Sequence, residues 1–390
     1  MIKKVVLDKA DRLYHFPFDM EDFFPRRALK AGEKRIPTID LGRFHWSIES
    51  GPPISDKNAL AMANSEDFAR LKEAISNWFS EEYNVRIDPR KEIYIGQGIH
   101  RVIFDICLAY VEYGDIVLCP EPGMPFYRRM VISVCGIPVT YPVTEKNDYK
   151  PSFARLSSNL GKATKILILN NPHNPCGTML EDTEMSELLR IASRQNLFII
   201  NDAAYCSLTE EKYLPLRAIP GGEKVSLEIF SIPFTFGLPY LPFGFAIGPP
   251  GVISGLDTIR KTIGITIPKP WIEATIKVIE SFPSPELKDI RRRFDQSRLE
   301  ANRLVDLMDW GVAGGKSCPF LWVKIPERKQ SGSYAAALLR RKRILTLPGT
   351  AFGEIGEGYM RFSLSAPPEE YKEAYDRLSK RLTLRPSRGE

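Results

Sequence analysis

The residues best placed by type and spacing to do chemistry are Asn174, Asp202, Tyr205 and Arg361, with His100 and Ser231 beside glycine-marked turns. Asp202 closes the apolar run Leu197-Phe198-Ile199-Ile200, and a phenol follows at Tyr205. A carboxylate and a phenol held together can fix or move a proton. Arg361 lies inside the apolar stretch Tyr359 to Leu364, where an internal guanidinium needs an anion and its planar fork suits a carboxylate. Gly96-Gln97-Gly98-Ile99-His100 opens a helical pattern, so Gly98, Ile99 and His100 read as an anion cradle, to which the hydroxyl of Ser231 adds. His100 is there a candidate acid–base group. Plainer roles compete: Asp202 capping a loop, Asn174 favoured in its turn for backbone reasons, His100 as a satisfied surface histidine. The six cysteines stand singly, without metal-ligand or redox spacing, and read as reduced thiols.

Such residues need a scaffold. At 390 residues, with 43% hydrophobic and 26% charged residues, the chain can bury a large core and divide into two domains. The formal charge is +6, and the basic runs Arg291–Arg293 and Arg340–Arg343 lack aromatic interleaving, so they read as solvated helix faces and not as a nucleic-acid surface. No apolar run reaches membrane-spanning length, and Met1 opens a charged segment where a leader peptide would be apolar, so the expected address is the cytoplasm. Phe68, Leu71, Ile75, Trp78 and Phe79 recur at helical spacing, as do the apolar residues from Val102 to Val111. Between such helices fall the apolar runs 116–119, 166–169, 197–200 and 227–230, which predict buried strands of a mainly parallel sheet covered on both faces. A second unit begins near Pro283-Ser284-Pro285, with a long charged helix to about Leu307, short strands around 321–323 and 359–364, and a closing helix from Pro368 to Leu382. The expected division is an N-terminal arm with part of the small domain over 1–60, a large domain over 61–282, and a small domain over 283–390.

Several motifs resemble the class I/II aminotransferases, the fold type I enzymes that use pyridoxal phosphate. Asn170-Asn171-Pro172-His173-Asn174-Pro175-Cys176-Gly177 is similar to their Asn-Pro-x-Asn-Pro-x-Gly turn, and Asp202-Ala203-Ala204-Tyr205 to their Asp-x-x-Tyr. Pro348-Gly349-Thr350-Ala351-Phe352-Gly353 and Arg361-Phe362-Ser363-Leu364 are similar to the C-terminal signatures. The resemblance covers nearly the whole chain and looks closest to the branch with LL-diaminopimelate aminotransferase. It implies a large domain with a mainly parallel seven-stranded sheet, a smaller α/β domain, and a cleft between them against a homodimer interface. It also implies that Asn174 and Tyr205 bond the cofactor's ring hydroxyl, Asp202 its ring nitrogen, and Arg361 the substrate carboxylate.

Departures from the pattern are concentrated on one side. Phe234 stands where the family's lysine bonds the cofactor aldehyde and moves the substrate proton, and a phenylalanine can do neither. Pro242 replaces the phosphate arginine, Pro233 a hydroxyl, Met124 the stacking ring and Phe44 a glycine. Losing those contacts would cost on the order of 6–10 kcal/mol of cofactor affinity. The expectation is therefore that no cofactor is used, with pyridoxal or pyridoxamine phosphate at most weak and non-covalent. Phe44, Trp46, Met124 and Phe234 then line an apolar pocket whose ligand carboxylate meets Arg361. Three readings of function follow: a repurposed enzyme for a carboxylated, amino-acid-derived or apolar small molecule, as in specialised biosynthesis; a non-catalytic ligand-binding or partner subunit; and an enzyme using pyridoxamine phosphate non-covalently. No metal is implied.

Overall fold

The computed structural model describes residues 37–45, 61–158, 161–209, 211–326 and 330–379, with Ala10 and Arg12. Trp46 and most of the expected N-terminal arm lie outside the described residues, as does the end of the closing helix beyond Ser379.

After a two-residue strand, β1 (Ile39–Asp40), the chain builds a seven-stranded sheet from β2 (Ile93–Gly96), β3 (Ile116–Glu121), β4 (Ile137–Pro142), β5 (Thr164–Asn170), β6 (Phe198–Asp202), β7 (Ser226–Ser231) and β8 (Gly244–Ile247). Their order across the sheet is β2-β8-β7-β6-β5-β3-β4. From β4 through β7 neighbours run parallel, while β8 lies antiparallel to both β7 and β2. The four apolar runs predicted as strands are β3, β5, β6 and β7, and their continuous Ile, Leu and Val character reflects burial on both faces. Two strands carry little signal in the sequence. β2 has only four residues, and β4 is an edge strand with half-exposed side chains and two prolines, which only an edge tolerates.

Helices cover the sheet. Ser65–Tyr83 starts on a capping box in which Asn64 accepts from the amides of Glu66 and Asp67 and the Asp67 carboxylate returns to the Asn64 amide. Its apolar face drives Trp78 against Phe230, Phe236 and Phe245, with ring centroids 5.0–6.1 Å apart. Ile99–Tyr110 packs on the opposite core, where Val102, Ile103 and Ile106 meet Ile168, Ile200 and Ile229. Asp182–Gln195 lies over β5 and β6 through Leu188, Leu189 and Ala192.

Beyond the helix Pro285–Leu307, β9 (Gly311–Ala313), β10 (Phe320–Lys324), β12 (Leu347–Pro348) and β13 (Tyr359–Ser363) form an antiparallel sheet in the order β12-β13-β10-β9, and β11 (Ile344–Leu345) pairs with β1. Arg292 and Arg293 of the charged helix pair with Asp289, as a solvated face should. The Ser363 amide donates to the Leu41 carbonyl at 2.8 Å, which fastens the segment after β1 to the end of β13. This contact brings Gly42 beside Arg361.

The seam between β7 and β8 sits directly below the cradle helix. A Cβ on Gly244 would stand 2.6 Å from the Phe230 carbonyl oxygen and 3.6 Å from the Ile99 amide nitrogen. Gly244→Ala is expected to cost about 1–3 kcal/mol in urea denaturation, because backbone has to move. An unchanged midpoint would mean the seam adapts freely.

Candidate active site

Parallel register aligns the carboxyl ends of β5 and β6, pairing Asn170 with Asp202, and this is the edge where ligands bind in sheets of this kind. Asp202 is 2% exposed. Its carboxylate accepts the Tyr127 hydroxyl at 2.6 Å on one oxygen and the Ala204 amide at 3.1 Å on the other. A carboxylate offers about four acceptor positions, so capacity remains for another donor. Tyr127 comes from the first turn of the helix Pro125–Ser133 and is fully buried.

Asn170 organises the neighbouring turn. Its side chain donates to the Asp202 carbonyl at 2.9 Å and accepts the Asn174 amide at 2.8 Å. Asn174 is thereby presented to two partners: its amide nitrogen lies 3.1 Å from the Tyr205 hydroxyl, and its carbonyl accepts Nη1 of Arg361 at 3.1 Å. Nη2 of Arg361 donates to the Gly42 carbonyl at 3.0 Å, and the guanidinium stacks on Phe320 at 3.9 Å. Nε of Arg361 is buried without a partner among the described residues. Burial lowers this guanidinium to about 10, against the opposing pull of Tyr205 and Cys318, so it remains a cation at neutral pH.

Of the residues expected to line the site, the fold joins Asn174, Asp202, Tyr205, Arg361, Met124, Phe44 and Phe234. The Met124 sulfur lies 3.2 Å from the Asn174 amide nitrogen. Phe234 packs edge-on to Phe44 at 5.1 Å and tilted against Tyr205 at 5.2 Å. Ser231 caps the short helix Ile232–Phe236 by accepting the Phe234 amide. Gly98, with φ of 84°, caps Ile99–Tyr110 without any side-chain bond, and a Cβ there would stand 3.5 Å from the Pro242 carbonyl oxygen. His100 is exposed and lies on Phe126 at 3.9 Å. Sequence reasoning missed Tyr127 and Gly42. Tyr127 had one available signal, its place in the first turn of the helix that opens after Pro122-Gly123-Met124; Gly42 acts through a backbone oxygen and has none.

The pyridine side of this arrangement fits pyridoxal phosphate. Asp202 would face the ring nitrogen, Tyr205 and Asn174 the ring hydroxyl, and Arg361 a carboxylate. On the phosphate side, the start of Ile99–Tyr110 would supply backbone amides, and the Pro242 carbonyl lies beside Gly98 at that helix start.

Comparison with known proteins agrees. A model of the aminotransferase class I and II family matches residues 52–378, and the chain belongs to that family. It is similar to the LL-diaminopimelate aminotransferase of Aquifex aeolicus, 27% identical over 95% of this chain and 98% of that protein. The enzyme of the same name from Maridesulfovibrio salexigens is 28% identical over 80% of each. Among solved structures, BacF from Bacillus subtilis superposes with a TM-score of 0.88 at 20% identity, over 96% of this chain and 98% of that one. The N-succinyldiaminopimelate aminotransferase of Mycobacterium tuberculosis gives 0.85 at 23% identity, over 95% and 99%.

These relationships overturn the expectation that the cleft takes no cofactor. The chain is related to aminotransferases along almost its full length, and that family points to pyridoxal phosphate. The expectation took the groups lost around phosphate and aldehyde as the larger share of cofactor affinity. It set the retained ring-side groups below the lost ones, without the burial of Asp202 and the acceptor capacity left on its carboxylate.

Burial raises the Asp202 carboxyl to about 6 from 3.8, against hydrogen bonds from Tyr127 and Ala204 that pull it down. Its folded value exceeds the unfolded one, so its contribution to stability is complete below about pH 4 and is lost as pH rises through 6. Asp202→Asn keeps an acceptor for the Ala204 amide and turns an amide donor to the Tyr127 hydroxyl, which can rotate to accept it, but cannot ionise. Without cofactor, the variant is expected to exceed the parent by about 2–3 kcal/mol at pH 8 and to lose that advantage near pH 4, read by urea denaturation across pH. A difference that does not vary with pH would contradict this account of the carboxyl.

Proposed function

We propose that this protein is an amino-group-transferring enzyme that holds its cofactor without a lysine tether, receiving it in the pyridoxamine phosphate form, and acts on a carboxylated, amino-acid-derived substrate. The observation that carries the reading is the buried chain Tyr127–Asp202 and Tyr205–Asn174–Arg361, whose free bonding capacity is on the ring and carboxylate side. When bound, the cofactor supplies an amino-group carrier and an electron sink.

The chain's own residues do the rest. Asp202, as an anion above about pH 6, stabilises a protonated ring nitrogen. Asn174 and Tyr205 fix the ring's orientation, and the first amides of Ile99–Tyr110 receive the phosphate. Arg361 grips the substrate carboxylate through Nε, its other two nitrogens being held by Asn174 and Gly42. Phe44, Met124 and Phe234 exclude water from the substrate's apolar part. Phe234 cannot move a proton, so His100 and Tyr205 are the candidates for that task. In this reading the cleft closes against a second copy of the chain, and light scattering should find a dimer. A monomer would remove that element.

A non-catalytic ligand-binding role is the second reading, favoured by the contact of Phe234 with Phe44 at 5.1 Å beside Tyr205. Single-turnover mixing separates the two. Protein loaded with pyridoxamine phosphate should convert a panel of 2-oxo acids to amino acids with stoichiometric appearance of pyridoxal phosphate. Arg361→Ala should weaken substrate binding or turnover about tenfold or more while the protein stays folded. Binding of the cofactor without any conversion would favour the second reading. Borohydride added with pyridoxal phosphate should fix no stoichiometric adduct on any lysine; one specific adduct would defeat the untethered mode.

A further inference from the structure

Away from the cleft, a cavity of about 240 Å³ opens between the first half of the Ser65–Tyr83 helix, the Pro89-Arg90 turn and the last turn of the helix Pro250–Ile263. Its lining carries three cations, Lys72, Arg90 and Arg260, against one carboxylate, Glu73. Lys72 is 9% exposed, and its ammonium makes no hydrogen bond or ion pair among the described residues. Nε of Arg260 is also buried without a partner there, while its Nη2 is taken by Asp257 at 3.1 Å. Burial holds the Lys72 amine below its ordinary value, with Asp257 opposing and Arg260 reinforcing that shift. The Asp257 carboxylate is shared between two cations, so Lys72 and the Nε edge of Arg260 leave an excess of positive charge that an anion between them relieves. Glu73 and Arg90 are exposed at the rim, where their charges are screened.

We infer that this cavity is a binding site for a compact oxyanion of the phosphate kind, held by Lys72 and Arg260 with Arg90 at the entrance. Size supports the class of ligand. The volume lies below the roughly 300–1,000 Å³ usual for drug-sized organic ligands. The apolar wall is limited to Phe68, Ala69 and Pro89, which leaves no aromatic slot for a nucleobase. A point charge and a planar fork facing one cavity suit a tetrahedral anion. None of these residues belongs to the Asp202–Arg361 constellation, so the inference does not depend on the proposed function.

The test is titration of the full chain with inorganic phosphate at matched ionic strength in chloride, followed by thermal unfolding and by 31P line broadening. The midpoint of the parent should rise with phosphate. In Lys72→Met, which keeps the length of the side chain, affinity should fall about tenfold or more, and the midpoint without phosphate should equal or exceed the parent's. Arg260→Gln should weaken binding similarly and serves if Lys72→Met does not fold. Glycerol phosphate binding as well as inorganic phosphate would assign the site to a phosphomonoester, and inorganic phosphate alone to the free ion. A parent that does not respond, or a response undiminished in both variants, overturns the inference.

Discussion

A carboxylate that is 2% exposed at the end of β6 sets the terms for the rest of this molecule. Asp202 can be kept there only if donors reach it, and those donors come from separate parts of the chain: a phenol on the helix after β3 and an amide two residues on. The parallel register of β5 and β6 then places Asn170 beside it, and Asn170 holds the turn that presents Asn174. From Asn174 the hydrogen bonds continue to Tyr205 and to Arg361 of the smaller sheet. Large sheet and small sheet are thus joined through the same polar chain that would receive a ring and a carboxylate.

The opposite side of the cleft obeys different physics. Phe234 packs its ring on Phe44 and Tyr205, and the proline at 242 brings an acceptor toward the capped helix start. Interactions there are apolar or come from backbone amides. In the proposed reading such a site would hold the cofactor by its ring, without a covalent tether. The same reasoning explains why affinity cannot be judged from lost groups alone. Each charge-assisted bond contributes about 1.5–3 kcal/mol, so a buried carboxylate such as Asp202 with acceptor capacity left weighs in the balance as well.

Much of the fold is legible in the sequence because the central strands are unbroken apolar runs and the helices carry clean 3.6-residue spacing, as in Phe68 to Phe79. β2 and β4 are not legible: one is too short to show a pattern, and the other has the prolines and half-exposed alternation of an edge. Asn174, Asp202, Tyr205 and Arg361 are readable as site residues because each sits in a distinctive turn or at a strand end. Tyr127 is hidden by distance, 75 residues from the carboxylate it bonds. Gly42 is hidden because a carbonyl oxygen has no residue type. The misjudged cofactor has the same origin, since the bonding capacity left on Asp202 and Arg361 exists only in three dimensions.

Calorimetric titration of the protein with pyridoxamine phosphate, beside an analogue whose ring nitrogen is replaced by a carbon, tests the central claim most directly. If Asp202 is the group around which the cleft is built, the parent cofactor binds about tenfold or more tightly than the analogue, the difference expected of one charge-assisted hydrogen bond in a buried site. Equal affinities would contradict the account, because the carboxylate would then contribute nothing to recognition.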